Sequence, residues 1–328
     1  MLRRNGSCFV KPVLSVLIVT WNCRQLVGPC FDYLFASNMT EPFEVIVVDN
    51  QSHDGTADAV RARPEAITVV EPGKNLGFGR GNNLAAEQAK GDYLLLLNPD
   101  AYLIDPDALP QLLAVLRAAE PSGLGAVAPR LDNPDGSHQI GDGGFAPTPG
   151  NIVRHMSLVS RLVPGARGFY VNHPALLRRE RIALDWLAAT CLLVTRPAFE
   201  AVGGFDPRFF MYGEDVDLGV RLGRAGYGLV LLPAISVVHL QGATQRVNPD
   251  DIHVSTGWID AIFALHQDRG WRPTISRWTI ASTMVVGFGA RAIAYAVRGR
   301  RGRKRATAMM RYARHGWAGR ISASRTRP

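Results

Sequence analysis

Cysteine is scarce in this chain, and its four copies, Cys8, Cys23, Cys30 and Cys191, form neither a CxxC pair nor a zinc spacing with histidine. A disulfide framework and a structural zinc site are therefore excluded as the source of stability, and reduced thiols in a cytosolic protein are expected. Nor is a secretory leader expected in the opening residues: Arg3 and Arg4 stand near the start, but the apolar run Val13 to Thr20 is too short for a signal core, leads into Trp21-Asn22 and reads as a buried strand. Charged residues make up only 20% of the chain against 47% hydrophobic, which excludes wholesale disorder. No recognisable nucleic-acid-binding module accompanies the basic residues, so no nucleic-acid partner is expected.

The 328 residues suffice for one large α/β core with an appendage, and the formal net charge of +9 lies mainly in the latter. Arg298, Arg300, Arg301, Arg303, Lys304 and Arg305 cluster there, followed by Arg311, Arg314, Arg320, Arg325 and Arg327. The first 12 residues read as an extension, 13–248 as the main domain and 249–328 as a helical, basic, membrane-associated segment. Within the last segment, Trp258, Ile259, Ile262, Phe263 and Leu265 predict an amphipathic helix. Thr279 to Val297 is apolar almost throughout except for Arg291. An arginine inside such a run favours a helix lying in a membrane interface or packing on the core over one that spans. The basic cluster beyond it suits an anionic cytoplasmic leaflet.

In the main domain, Val13 to Thr20, Glu44 to Asp49, Ile67 to Val70 and Tyr93 to Leu97 are short, nearly continuous apolar runs, the pattern of parallel strands buried on both faces. Helices are predicted between them, around Leu26 to Leu34, from Thr56 through Val60 and over Asn82 to Ala89. Alternation of this kind predicts a doubly wound, mostly parallel sheet with helices on both faces. From Asp132 to Ala175 periodicity weakens. Trp186 to Val194 then reads as a strand, Glu214 to Ala225 as a helix, and Gly228 to Leu232 as a strand leading to His239.

Asp100 follows the fourth strand directly after Asn98-Pro99, where the proline disfavours helix and presents the carboxylate at the sheet's C-terminal edge. It suits either a turn or one contact to Mg²⁺ or Mn²⁺. Asp49 ends the second strand and suits either a helix cap or a nucleotide contact. Gly77-Phe78-Gly79-Arg80-Gly81-Asn82 resembles a fragment of a dinucleotide fingerprint, read as a tight turn open to a nucleotide with Arg80 near phosphate. Glu214, Asp215 and Asp217 crowd the first turn of a helix, more acids than capping requires, and an ionised aspartate there can accept a hydroxyl proton late in a displacement. His239 is either a second metal ligand or a structural residue.

Taken in order, Val19-Thr20-Trp21-Asn22, Val47 through Thr56, Asn75-Leu76-Gly77-Phe78-Gly79, Leu97 through Asp100, Val202 through Asp206 and Tyr212 through Leu218 resemble the family 2 glycosyltransferases over about residues 13–245. Within the family, Asn98-Pro99-Asp100 and the run from Phe210 to Leu218 most resemble rhamnosyltransferases. The resemblance implies a GT-A, Rossmann-like fold and an inverting, metal-dependent displacement. It implies Asp215 as base beside Glu214, and Asp100 with His239 as ligands for Mg²⁺ or Mn²⁺. Thr20, Asn22, Asp49, Asn50, Asn75, Gly77, Arg80 and Asn98 are implied on the nucleotide-sugar side, and Trp186, Thr190 and Asp206 on the acceptor side. Asn98 stands where the family's Asp-x-Asp signature has its first acid. The implied donor is dTDP-rhamnose, with a UDP-sugar, or binding without catalysis, as alternatives. The acceptor would be a glycan or polyprenyl-linked sugar at the inner face of the cell membrane, and a homo-oligomer is left open.

Overall fold

The computed structural model describes residues 11–163, 165–240, 256–267 and 273–319. Its strands are β1 (Leu14–Thr20), β2 (Phe43–Asp49), β3 (Ile67–Val70), β4 (Tyr93–Leu97), β5 (Ala101–Tyr102), β6 (Leu124–Asp132), β7 (Gly143–Gly144), β8 (Ile182–Ala183), β9 (Trp186–Leu187), β10 (Cys191–Thr195) and β11 (Gly228–His239). Helices α1 (Arg24–Phe35), α2 (Thr56–Arg61), α3 (Phe78–Gln88) and α4 (Ala108–Ala119) belong to the first half. They are followed by α5 (Pro149–Met156), α6 (Val159–Leu162), α7 (Arg196–Ala201) and α8 (Glu214–Arg224), then α9 (Gly257–Gln267), α10 (Pro273–Ala296) and α11 (Gly299–Gly319).

The main sheet runs β3-β2-β1-β4-β10-β6-β11-β5, with β8 also on β11. Strands β1 to β4 pair in parallel, as do β6 and β11, whereas β10 runs antiparallel between β4 and β6. The carboxyl ends of β1, β2, β4, β6 and β11 thus share one edge with the start of β10. Side chains alternate as the pleat requires. Leu14, Val16, Ile18, Tyr93, Leu95 and Leu97 face one core with α1 and α4, while Leu17, Leu94 and Leu96 face another with α3, α7 and α8. Each fully buried Leu or Ile of this kind contributes about 1.5–3 kcal/mol.

Two boundaries differ from the sequence reading. Trp186 to Val194 is not one strand, because β9 pairs with β7 in a separate two-stranded ladder and the chain bends at Ala188 to Thr190 before β10 enters the main sheet. Helix α3 starts at Phe78, one turn before Asn82, since its glycines are tolerated for the packing described below.

A third hydrophobic cluster joins the C-terminal helices to the main domain. It gathers Ile259, Ile262, Phe263, Ile280, Met284 and Phe288 with Ile152, Met156, Phe169, Trp186 and Val216. Arg291 turns inward, its guanidinium donating to the carbonyls of His155 (3.3 Å) and Met156 (3.2 Å) at the C-terminus of α5, where the helix dipole favours a cation.

Candidate active site

The shared sheet edge brings most of the sequence-expected residues together. Thr20 and Asp49 are register partners at the ends of β1 and β2. Asp49, 1% exposed, accepts from Thr20 Oγ1 (2.8 Å) and Ser52 Oγ (2.6 Å) on one oxygen and from Ser52 N (2.8 Å) on the other. Asn22 accepts from His53 N and donates its own backbone N–H to Ser52 Oγ, both at 2.8 Å. Asn22, Gln51 and Tyr212 all hold left-handed backbone, with φ of 47°, 61° and 71°. Such strain costs on the order of 1–3 kcal/mol per residue and clusters at functional sites.

Next to this edge, Asn50 braces the loop before α3, donating to Gly77 O (3.1 Å) and accepting from Leu76 N (3.3 Å), while Asn75 accepts from Gly77 N (2.9 Å). The glycines here serve chain packing. A Cβ on Gly77 (φ +81°) would lie 2.2 Å from Phe210 O, and one on Gly81 2.9 Å from Val19 Cγ1. Arg80 donates from Nε and Nη2 to Pro207 O at 2.9 and 2.7 Å, which engages its guanidinium on the loop after Asp206.

At the end of β4, Asn98 N donates to Thr190 O (2.9 Å), and Asn98 Oδ1 is buried with no hydrogen-bond partner among the described residues. Two residues on, Asp100 lies beside β11: Leu240 N donates to Asp100 O (3.0 Å), and Ala101 registers with His239. His239 Nε2 is 3.4 Å from Asp100 Oδ1, and its Nδ1 is held by Gln139 Oε1 at 2.6 Å. One carboxylate oxygen and one imidazole nitrogen form a donor pair that fits Mg²⁺ or Mn²⁺, with the remaining positions left to substrate oxygens and water. Among the described residues no group of three or more His, Cys, Asp or Glu gathers in one place.

Helix α8 supplies the second acidic group. Its cap, Gly213, holds φ +92°, and a Cβ there would lie 2.0 Å from Ala261 Cβ, so α9 seats directly on the helix start. Asp215 accepts from Val216 N (2.8 Å), and the backbone N–H of Ala189, one residue before Thr190, favours its charged form. Its neighbour Thr190 is the residue that accepts from Asn98 N. Burial raises both Glu214 and Asp215 above the ordinary carboxylate range. Glu214 rises further because Asp215's charge adds to its desolvation, whereas backbone N–H groups offset part of Asp215's. Asp215 is therefore the member that ionises first. Asp217 is engaged by Arg221 (2.7 Å from Nε) and Asp206 by Arg208 (2.7 Å from Nη2).

Trp186 sits behind this region rather than on its surface: it is 2% exposed, packs on Phe169 and Tyr170, and donates its indole N–H to Phe169 O (3.2 Å). The sequence reading missed Ser52, Ala189 and Gln139. Ser52 was within a quoted motif, Ala189 acts through its backbone, and Gln139 falls where periodicity fades.

The glycosyl transferase family 2 model matches residues 15–182, which is half of the chain. The chain belongs to glycosyl transferase family 2. This glycosyltransferase is 32% identical over 297 residues to the N-acetylglucosaminyl-diphospho-decaprenol L-rhamnosyltransferase of Mycobacterium tuberculosis, covering 84% of this chain and 91% of that protein. It is 26% identical over 278 residues to the rhamnosyltransferase WbbL of Escherichia coli, covering 83% and 91%. Its fold is similar, at TM-score 0.56 and 18% identity, to the mannosyltransferase PcManGT of Pyrobaculum calidifontis, solved with GDP-Man and Mn²⁺, over 96% of this chain and 89% of that one. The expected GT-A-like architecture, a mostly parallel mixed sheet with C-terminal helices, is thereby shown.

Proposed function

We propose that this glycosyltransferase moves L-rhamnose from dTDP-rhamnose, with inversion, to a hydroxyl of a polyprenyl-diphosphate-linked sugar at the inner face of the cell membrane. The observation that supports the chemistry is the backbone bond from Asn98, two residues before the Asp100–His239 pair, to Thr190, whose neighbour Ala189 favours the charged form of Asp215. On this reading the donor-holding end and the basic carboxylate share the sheet edge. The rhamnosyl donor and the lipid-linked acceptor rest on likeness to the Mycobacterium tuberculosis and Escherichia coli enzymes.

In this reading Asp215 accepts the acceptor hydroxyl's proton as that oxygen bonds the anomeric carbon, and the carbon–oxygen bond to the diphosphate breaks with its electron pair leaving on dTDP. Glu214, protonated beside it, keeps the pair to a single negative charge. Asp49, Thr20, Asn22, Asn50, Asn75, Gly77, Arg80 and Asn98 shape the nucleotide-sugar side, and Thr190, Asp206 and Trp186 support the acceptor side. A divalent cation held by Asp100 and His239 would neutralise charge on the departing diphosphate.

Membrane attachment would be made by the C-terminal hairpin. With Arg291 turned inward, the outer stripe of α10 presents Ile275, Trp278, Val286 and Ile293, at 58, 46, 71 and 74% exposure, and Val297 follows just beyond the helix at 83%. Exposed Arg303, Lys304 and Arg305 follow on α11. An apolar stripe flanked by basic groups matches an anionic bilayer surface.

Calorimetry with dTDP-rhamnose and a panel of UDP-sugars, with Mn²⁺ present, tests the donor. Selective binding of dTDP-rhamnose supports the proposal, whereas preference for a UDP-sugar overturns the rhamnosyl assignment while keeping the fold and family.

A further inference from the structure

We infer that Gln139 is a positioning residue that presents His239 to a divalent cation, an inference that rests on the proposed metal role of Asp100 and His239. Gln139 is 5% exposed and grips His239 twice. Its Nε2 donates to the His239 carbonyl (3.0 Å) and to Asn133 Oδ1 (2.9 Å), and its Oε1 meets His239 Nδ1 at 2.6 Å. Both amide protons are given to oxygens, so turning the amide round would set its oxygen against two acceptors. The Gln139 oxygen is thus fixed on Nδ1, and because an amide oxygen only accepts, Nδ1 carries the hydrogen.

In the neutral ring the other nitrogen, Nε2, then directs a lone pair toward Asp100 Oδ1, 3.4 Å away. Two acceptors facing one another are favourable when a cation takes both. Fixing a ligating imidazole's tautomer and orientation through its far nitrogen is the usual way that outer partners tune a metal site. The strap that carries Gln139 is itself anchored. Gln139 N donates to Leu131 O (2.8 Å), Asn133 N donates to Ser137 O (2.8 Å), and Asp132 bridges to His138 at the end of β6. The strap thereby ties the end of β6 to the end of β11, and the end of β11 to Asp100.

The test is Mn²⁺ binding by the full chain in the presence of dTDP, read by electron paramagnetic resonance of free Mn²⁺. Gln139→Leu is expected to weaken binding about 10- to 100-fold. His138→Ala, on the same strap but off His239, is expected to match the parent. Binding by Gln139→Leu equal to the parent's overturns the inference. An absence of Mn²⁺ binding in the parent overturns the metal reading instead.

A readout that needs no Gln139 variant is the ¹⁵N spectrum of histidine-labelled, Mg²⁺- and dTDP-loaded protein at pH 8, with His239 assigned by its loss in His239→Gln. The hydrogen is expected on Nδ1 alone. A hydrogen on Nε2 alone overturns the role of Gln139, and a doubly protonated ring overturns metal ligation by His239.

Discussion

Asp215 and Glu214 owe their behaviour to burial, and this makes their ionisation legible in two separate measurements. If Asp215 is the base, it must be ionised, so transfer should fall as pH drops through about 6, where Asp215 takes up its proton. Stability should move the other way. A carboxylate whose folded pKa is raised above its unfolded value stabilises the fold fully below the unfolded value and loses that contribution as pH rises through the folded one. Asp215→Asn should therefore melt higher than the parent at pH 8, by at most about 3 kcal/mol in unfolding free energy, and the gain should shrink toward pH 4. Melting curves at the two pH values check this, and an equal or lower melting point at pH 8 would contradict it. Asp100→Ala should instead weaken metal-dependent donor binding. Residue identity carried much of this site into view, because Asp49, Asp100, Asp215 and His239 are ionisable groups at element ends. It did not reveal Gln139, whose importance comes from being folded against His239 across a hundred positions of chain.

At the scale of elements, the parallel strands were legible because burial on both faces leaves them apolar almost throughout. Leu94 to Leu97 is the clearest case, and Leu95→Ala should cost about 2–5 kcal/mol, readable by denaturant unfolding. β6 gave no such signal, since Gly125 and Pro129 interrupt it. Gly125 is required there because a Cβ would lie 2.7 Å from Tyr227 Cβ. Gly77 makes the same point for α3: Gly77→Ala would force φ +81° on a side chain already in collision with Phe210 O, and should destabilise the loop between the two ends of the site. The arginine in α10 is the element-scale lesson of the tail. Read as sequence, Arg291 weighs against a bilayer span; in the structure it is spent on α5 and leaves the outer stripe apolar. Replacing Val286 and Ile293 by Glu should leave melting nearly unchanged and abolish binding to anionic vesicles in a flotation assay. Retained binding would remove α10 from the membrane proposal.

For the whole molecule, the sheet edge and the C-terminal hairpin make one arrangement. Ala261 packs on Gly213, Val216 shares a cluster with Ile259 and Phe263, and the helix that carries Asp215 is held from both sides. The tail was legible as helical and basic, but its packing on the start of α8, at Gly213 and Val216, was not, because it depends on contacts between segments far apart in sequence. The central claim is that this edge transfers rhamnose with Asp215 as its base. The measurement that tests it most directly is transfer from dTDP-rhamnose to a polyprenyl-diphosphate-linked N-acetylglucosamine by the full chain and by Asp215→Asn, each paired with calorimetric donor binding. The account predicts transfer by the parent, a loss of about 10²- to 10⁴-fold in the variant, and donor binding nearly equal in the two. Transfer by Asp215→Asn at the parent's rate, or loss of donor binding along with transfer, would contradict it.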